Sequence, residues 1–163
     1  MPQSLVLFKC LRPRKSLSPR ERQRYEQLEK GFIGEKMLEN ALNSMGCKNI
    51  TTLFGCLFEV DNRAFQIDCL LLTIDKIYLL EVKNYTGVYY IENNQIYHLK
   101  SKNEIYNPVA QIERTEFLFR RLLNETKINL QAQSYVVFVN KDLMVYGAPV
   151  HLPIIYHHKL NAF

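Results

Sequence analysis

The chain has 163 residues, 47% of them apolar, and is sparse in Gly and Pro. That combination indicates one compact domain with a real core and excludes a disordered or low-complexity chain. A formal net charge of +5 and a sequence pI of about 9.0 suit a polyanionic partner without requiring one. No apolar run approaches a membrane-spanning helix, and LVLF at 5–8 is too short for a signal sequence, so a soluble, cytoplasmic protein is expected, or at most a peripherally attached one.

Basic residues crowd the start: Arg12, Arg14, Lys15, Arg20, Arg22 and Arg24. Together with Pro2, Pro13 and Pro19 they make residues 1–20 read as an irregular basic arm, ahead of a single domain over 21–163. The arm suits solvation or a nucleic-acid contact equally; a lipid surface is a third option, because LVLF precedes the charges. Ser18-Pro19-Arg20-Glu21 is a helix start, with Ser as cap, Pro in the first turn and Glu three residues after the cap. The helix is predicted to run to about Met45 and stop at Gly46. Gly31 and Gly34 lie inside it and predict either a break near 31 or a close backbone approach. At about 100° per residue, Leu28, Phe32, Leu38, Leu42 and Met45 share one face, with Glu35 near its middle. A carboxylate there needs a basic partner or a site.

Strand-like runs follow. ITTLFGCLFEV (50–60) carries Gly55 as a candidate bulge, and FQIDCLLLT (65–73) and IYLLEVK (77–83) are joined by a turn at 74–76. VYYIENNQIYHL (88–99) reads as a hairpin turning at Glu92-Asn93-Asn94. Asn107-Pro108 opens a second helix with an apolar stripe of Val109, Ile112, Phe119 and Leu123, ending near Asn124. SYVVFVN (134–140) is a further strand, and beyond Gly147 the chain is apolar and interrupted by Pro. The order is that of a mixed α/β domain. Cys10, Cys47, Cys56 and Cys69 show neither C-x-x-C spacing nor a neighbouring His at ligand spacing, and the four histidines form no zinc motif. A reducing compartment fits them, with Cys69 a buried thiol.

The middle hairpin carries the chemistry. With a loop of two or four residues, Asp68 shares a face with Glu81 and Lys83, whose other members are Leu70, Leu72, Ile77 and Leu79; an odd loop would place it on the other face. Two carboxylates on adjacent strands repel each other. A divalent cation with hard oxygen preference, Mg²⁺ above all, removes that cost, and a lysine beside it can neutralise charge on a phosphate. D-x12-E-x-K therefore fits metal-assisted phosphodiester hydrolysis, while an ordinary ion pair at a strand end fits the same letters. Glu35 facing inward, Gln66 two residues before Asp68, and Gln111 at the edge of the second helix's stripe beside Thr115 and Leu118 shift the balance towards a site.

GEKMLE (34–39), QIDCLLL (66–72), LEVKNYTG (80–87) and NPVAQ (107–111), in that order, resemble the motifs of the nuclease-related, or NERD, domain, a relative of the PD-(D/E)xK nucleases. The resemblance covers about residues 30–140. It implies a restriction-endonuclease-like core, a mixed central sheet flanked by helices in the order α-β-β-β-α-β with an extra hairpin. It also implies that Asp68 and Glu81 bind the metal with the Val82 carbonyl, that Lys83 is the catalytic lysine, and that Glu35 supports the metal directly or through water. Gln111, and with it Gln66, would contact substrate. Ile67 stands where the superfamily places Pro. The implied activity is Mg²⁺- or Mn²⁺-dependent hydrolysis of DNA, with RNA and a homodimer left open; a nucleic-acid-binding module that keeps the fold without cutting is the alternative.

Overall fold

A computed structural model describes residues 1–46 and 49–162. Cys47 falls outside the described residues; Cys10, Cys56 and Cys69 are free thiols, and Cys69 is buried. The first helix, α1 (Gln3–Leu11), corrects the reading of residues 1–20 as irregular. Pro2 stands at its cap and Pro13 beyond its end, so neither interrupts it. Leu5 is fully buried and Phe8 meets Tyr25 edge-on at 6.2 Å, which docks α1 on the next helix.

That helix, α2 (Pro19–Ser44), opens on the expected capping box: the Ser18 side chain accepts from Glu21 N–H while the Glu21 carboxylate accepts from Ser18 N–H. It runs unbroken through Gly31 and ends before Gly46, whose φ of +59° is left-handed. At Gly34 the close-approach reading holds: a Cβ there would lie 2.9 Å from Asn84 Cβ.

Five strands form the main sheet: β1 (Thr51–Val60), β2 (Arg63–Leu72), β3 (Lys76–Lys83), β7 (Gln131–Phe138) and β9 (Ile154–Tyr156), side by side in the order β1-β2-β3-β7-β9. The first three are antiparallel, and β3, β7 and β9 are parallel. A smaller sheet, ordered β6-β5-β4-β8, contains β4 (Gly87–Glu92), β5 (Gln95–His98), β6 (Glu104–Ile105) and β8 (Leu143–Tyr146). Helix α3 (Pro108–Glu125) starts where Asn107 Oδ1 accepts from the backbone of Val109 and Ala110. The strands β6, β8 and β9 are too short to announce themselves; parallel pairing with β4 makes a strand of β8, in a stretch to which the sequence assigns no element, and pairing with β7 makes one of β9, in the apolar tail beyond Gly147.

The main sheet lies between the two long helices. Leu70, Ile77, Leu79, Val136 and Phe138 pack with Val109, Ile112, Phe119 and Leu123 of α3. Cys69, Leu71, Leu80, Val82 and Val137 pack on the other side with Leu38 of α2. The architecture is thus α/β, a mixed sheet with helices on both faces.

One local feature shapes the site. Phe54 packs on the α2 side, yet Cys56, Phe58 and Val60, of the same strand parity, pack on the α3 side. The same reversal occurs in β2 between Cys69 and Ile67. The hairpin rolls over at Gly55, whose φ is +63°. The register passes from Phe54↔Cys69 to Cys56↔Ile67 with no residue inserted. The expected bulge is therefore a roll instead: a left-handed glycine rotates the strand without adding to it. Among the described residues no helix is long and apolar enough to cross a membrane.

Candidate active site

The turn between β2 and β3 has the even length that the site requires. Thr73 N–H bonds to Lys76 O at 3.0 Å, closing the turn, and the pairs Leu72↔Ile77 through Cys69↔Leu80 follow. Pairing stops there because the next residue of β2 is Asp68, where the strand rolls. The backbone acceptor that β3 loses is replaced by a side chain: Val82 N–H donates to Asp68 Oδ2 at 2.9 Å. In a strand the N–H and C=O of one residue point the same way, so the Val82 carbonyl also faces the gap beside Asp68. Lys83 O, one residue on, faces β7 and accepts from Val139 N–H at 3.2 Å.

Glu81 and Lys83 point to the α3 side, as Leu79 does. Glu81 is only 4% exposed, and its Oε1 accepts from both Lys83 Nζ and Gln111 Nε2, each at 2.6 Å. Lys83 Nζ also donates to Gln111 Oε1 at 3.1 Å. The three side chains close a triangle in which one carboxamide donates to the acid and accepts from the base. Gln111 is placed by the Asn107 cap one turn earlier and held by Thr115 Oγ1, which donates to the Gln111 carbonyl at 3.1 Å.

Burial pushes the Asp68 carboxyl above the usual carboxylate range, against the Val82 N–H and the Lys83 charge. Glu81 is also raised, by burial first and then by the charge of Asp68, against Lys83 and Gln111. Burial pulls Lys83 down, but the charge and hydrogen bond of Glu81 outweigh it, and the ammonium ends above its ordinary value. Glu35 is raised by burial and by Asp68, which places its charge within reach of the site from α2.

These groups fit a hard divalent cation. Each carboxylate spends one oxygen inside the protein, Oδ2 of Asp68 and Oε1 of Glu81. The bonds to the two carboxylates engage only those oxygens, leaving Asp68 Oδ1 and Glu81 Oε2 for a ligand. Two carboxylate oxygens and one carbonyl are the donor types that Mg²⁺ takes. Among the described residues no three His, Cys, Asp or Glu form a metal-holding group; Glu35 and Asp68 interact through charge.

Gln66 is not brought to the site. It lies beyond the roll, exposed, opposite Leu57, which is 72% exposed. Its parity with Asp68 counts for nothing once the strand turns over between them.

Two features escape the motif reading. Asn84 Nδ2 donates to Lys30 O at 3.0 Å, and Asn84 Oδ1 accepts from Asn140 Nδ2 at 2.8 Å. This ties the end of β3 to α2 and to the segment after β7, just where Gly34 lets the helix approach. Tyr85 stacks on Tyr89 at 5.7 Å and leans on Phe138 at 5.9 Å. Burial pushes its phenol up, with Lys83 and Glu81 acting on it. The alternation that unites Glu81 and Lys83 extends to Tyr85, so that signal was present in the sequence.

A family model described as the nuclease-related domain, NERD, matches residues 30–139. No curated protein and no solved structure matches the chain.

Proposed function

This chain belongs to the nuclease-related domain family, and from that premise we propose that it is a metal-dependent nuclease that hydrolyses phosphodiester bonds of DNA, on a restriction-endonuclease-like core. The observation that carries the reading is the convergence of Asp68, Glu81, Lys83 and Gln111 where β2 leaves β3. Asp68 and Glu81 would hold Mg²⁺ or Mn²⁺ with the Val82 carbonyl, and Glu35 would add negative charge from α2. The bound cation would supply Lewis-acid polarisation of the phosphate.

The residues themselves divide the remaining work. Lys83 keeps its proton at neutral pH, because Glu81 raises it. Its task is therefore to stabilise negative charge growing on the phosphate, not to take a proton from water. Gln111 fixes the ammonium relative to Glu81 by bonding to both. Burial of Glu81 keeps bulk water from screening these charges. The free thiols Cys10, Cys56 and Cys69 suit a cytoplasmic setting.

The test is cleavage of labelled DNA by the purified chain with Mg²⁺ or Mn²⁺. Activity is expected with either ion and is lost in EDTA. Lys83→Ala should lower the rate by ~10²–10³-fold, the scale of losing one charge-stabilising group, with an unchanged circular dichroism spectrum. Cleavage that persists in excess EDTA overturns the mechanism. Salt-sensitive DNA binding without cleavage under either ion would make the chain a binding module.

A further inference from the structure

The smaller sheet carries a second surface, and on the reading above it names the form of the substrate. Two of its strands, β4 and the edge strand β8, leave the catalytic edge together: β4 begins at Gly87, just after Tyr85, and β8 at Leu143, just after the Asn140 that bonds Asn84. One face packs inward through Tyr89, Ile96 and Val145. The other alternates outward, with Met144 at 51% and Tyr146 at 55% exposure. On that outer face Tyr146, Tyr90 and Tyr97 stand in one rung, since Tyr90 pairs with Tyr146 on one side and with Tyr97 on the other. The Tyr90 and Tyr97 rings stack at 5.2 Å, and the Lys102 ammonium sits 5.0 Å over Tyr90.

At the Tyr146 end the strip opens into a cleft of about 810 Å³, lined in part by Lys141, Tyr146, Tyr156, His158 and Lys159, with no acidic residue in its wall. Tyr156 and His158 stack at 5.9 Å, and the Tyr156 hydroxyl is buried without a partner. The cleft is joined to the catalytic site by register: Lys83 pairs with Phe138, and Phe138 with Tyr156. Two strand spacings put Tyr156 roughly 10 Å from Lys83. Three acids lie nearby: Glu104 pairs with Tyr97 at the end of the rung away from Tyr146, Glu92 closes β4 opposite Gln95, and exposed Asp142 stands between Lys141 and Leu143 of the cleft wall.

In-line aromatic rings flanked by ammonium groups are the elements of a single-strand platform: every base has a face to stack, and the lysines meet the phosphates. Base-paired DNA offers these rings no such face. We propose that the strip Tyr146–Tyr90–Tyr97 and the cleft beside it bind an unpaired DNA strand leading out of the catalytic site, so that the substrate is single-stranded or frayed at the cut. This rests on the nuclease reading for its substrate, but not on catalysis.

The test is fluorescence anisotropy of the full chain, in EDTA, with a labelled oligo-deoxythymidine and with a blunt duplex of equal length. Tighter binding to the single strand is expected, weakened ~tenfold in Tyr146→Ala and restored in Tyr146→Phe, with duplex binding little changed in both. The surface pair Lys102→Ala/Lys159→Ala, which does not touch the core, should weaken single-strand binding and flatten its salt dependence. Equal or tighter duplex binding, no binding, or variants indistinguishable from the parent overturns the proposal. So does displacement of the oligonucleotide by thymidine monophosphate at equal nucleotide concentration, which would mark a site for free nucleotide. Mg²⁺-dependent duplex cleavage unaffected by Tyr146→Ala would sink this inference and leave the nuclease reading intact.

Discussion

The two ends of one sheet face are equally buried and opposite in character. At the turn end, Leu70, Ile77 and Leu79 are 2%, 4% and 0% exposed against α3; a few residues along the same strands, Glu81 is 4% exposed. Burial is equal, but its sign in free energy is not. Each apolar side chain there contributes about 1.5–3 kcal/mol. Each carboxylate loses hydration, and only the bonds from Val82, Lys83 and Gln111 offset that loss. The turn end holds the strands in place so that the other end can keep charges where water would otherwise take them. Stability and chemistry are separated along β3 by a single turn of the pleat.

That contrast can be broken first at its apolar end. Leu79→Ala should cost about 2–5 kcal/mol, the range for deleting a fully buried leucine, because Leu79 has no solvent-side space into which the core can relax. Urea denaturation gives the number. A loss under ~1 kcal/mol would mean that the α3 side of the sheet is not the support of the site.

A smaller effect separates two glycines of α2. Gly31 has open space, and Ala there should stabilise the helix by about 1 kcal/mol. Gly34 abuts Asn84 Cβ, an atom too close to the backbone to move freely. Gly34→Ala should therefore cost about 1–3 kcal/mol through overpacking, and should lower the proposed cleavage as well, because Asn84 ties the end of β3 to Asn140. If both variants gain stability, the helix does not bear on β3.

The sequence made much of the site legible because a strand has a period of two. Parity alone unites Asp68, Glu81 and Lys83, and the Asn107-Pro108 start fixes the phase that brings Gln111 to them. The same rule misplaces Gln66, since parity holds only while the strand keeps its roll, and a left-handed Gly55 changes it. A glycine in a strand shows that something happens there, but not which way the chain turns. Residues 1–20 read as irregular from their three prolines, although Pro2 and Pro13 flank α1 and Pro19 opens α2. Strands β8 and β9 were illegible for a different reason. Four and three residues long, they owe their form to parallel neighbours distant in the chain, and no local pattern encodes that.

The finest test of the contrast lies in Asp68 itself, by way of proton linkage. In the unfolded chain its pKa is near the ordinary ~3.9; in the folded protein burial raises it. The native state therefore holds this proton more tightly. Its contribution to stability is fully present below pH ~3.9 and is lost as pH rises through the folded value. At neutral pH the metal-free site is thus a burden on the fold. Asp68→Asn keeps an acceptor for Val82 N–H and removes the charge that also raises Glu81. Without metal it should melt above the parent near neutral pH, by about 0.5–2 kcal/mol, and the gap should close as the pH falls towards the unfolded value. Adding Mg²⁺ should reverse the order, because binding to the native state alone stabilises the parent and not the variant. A variant that melts below the parent in EDTA would show that the carboxylate holds the hairpin together; one that gains as much from Mg²⁺ as the parent would move the cation away from Asp68.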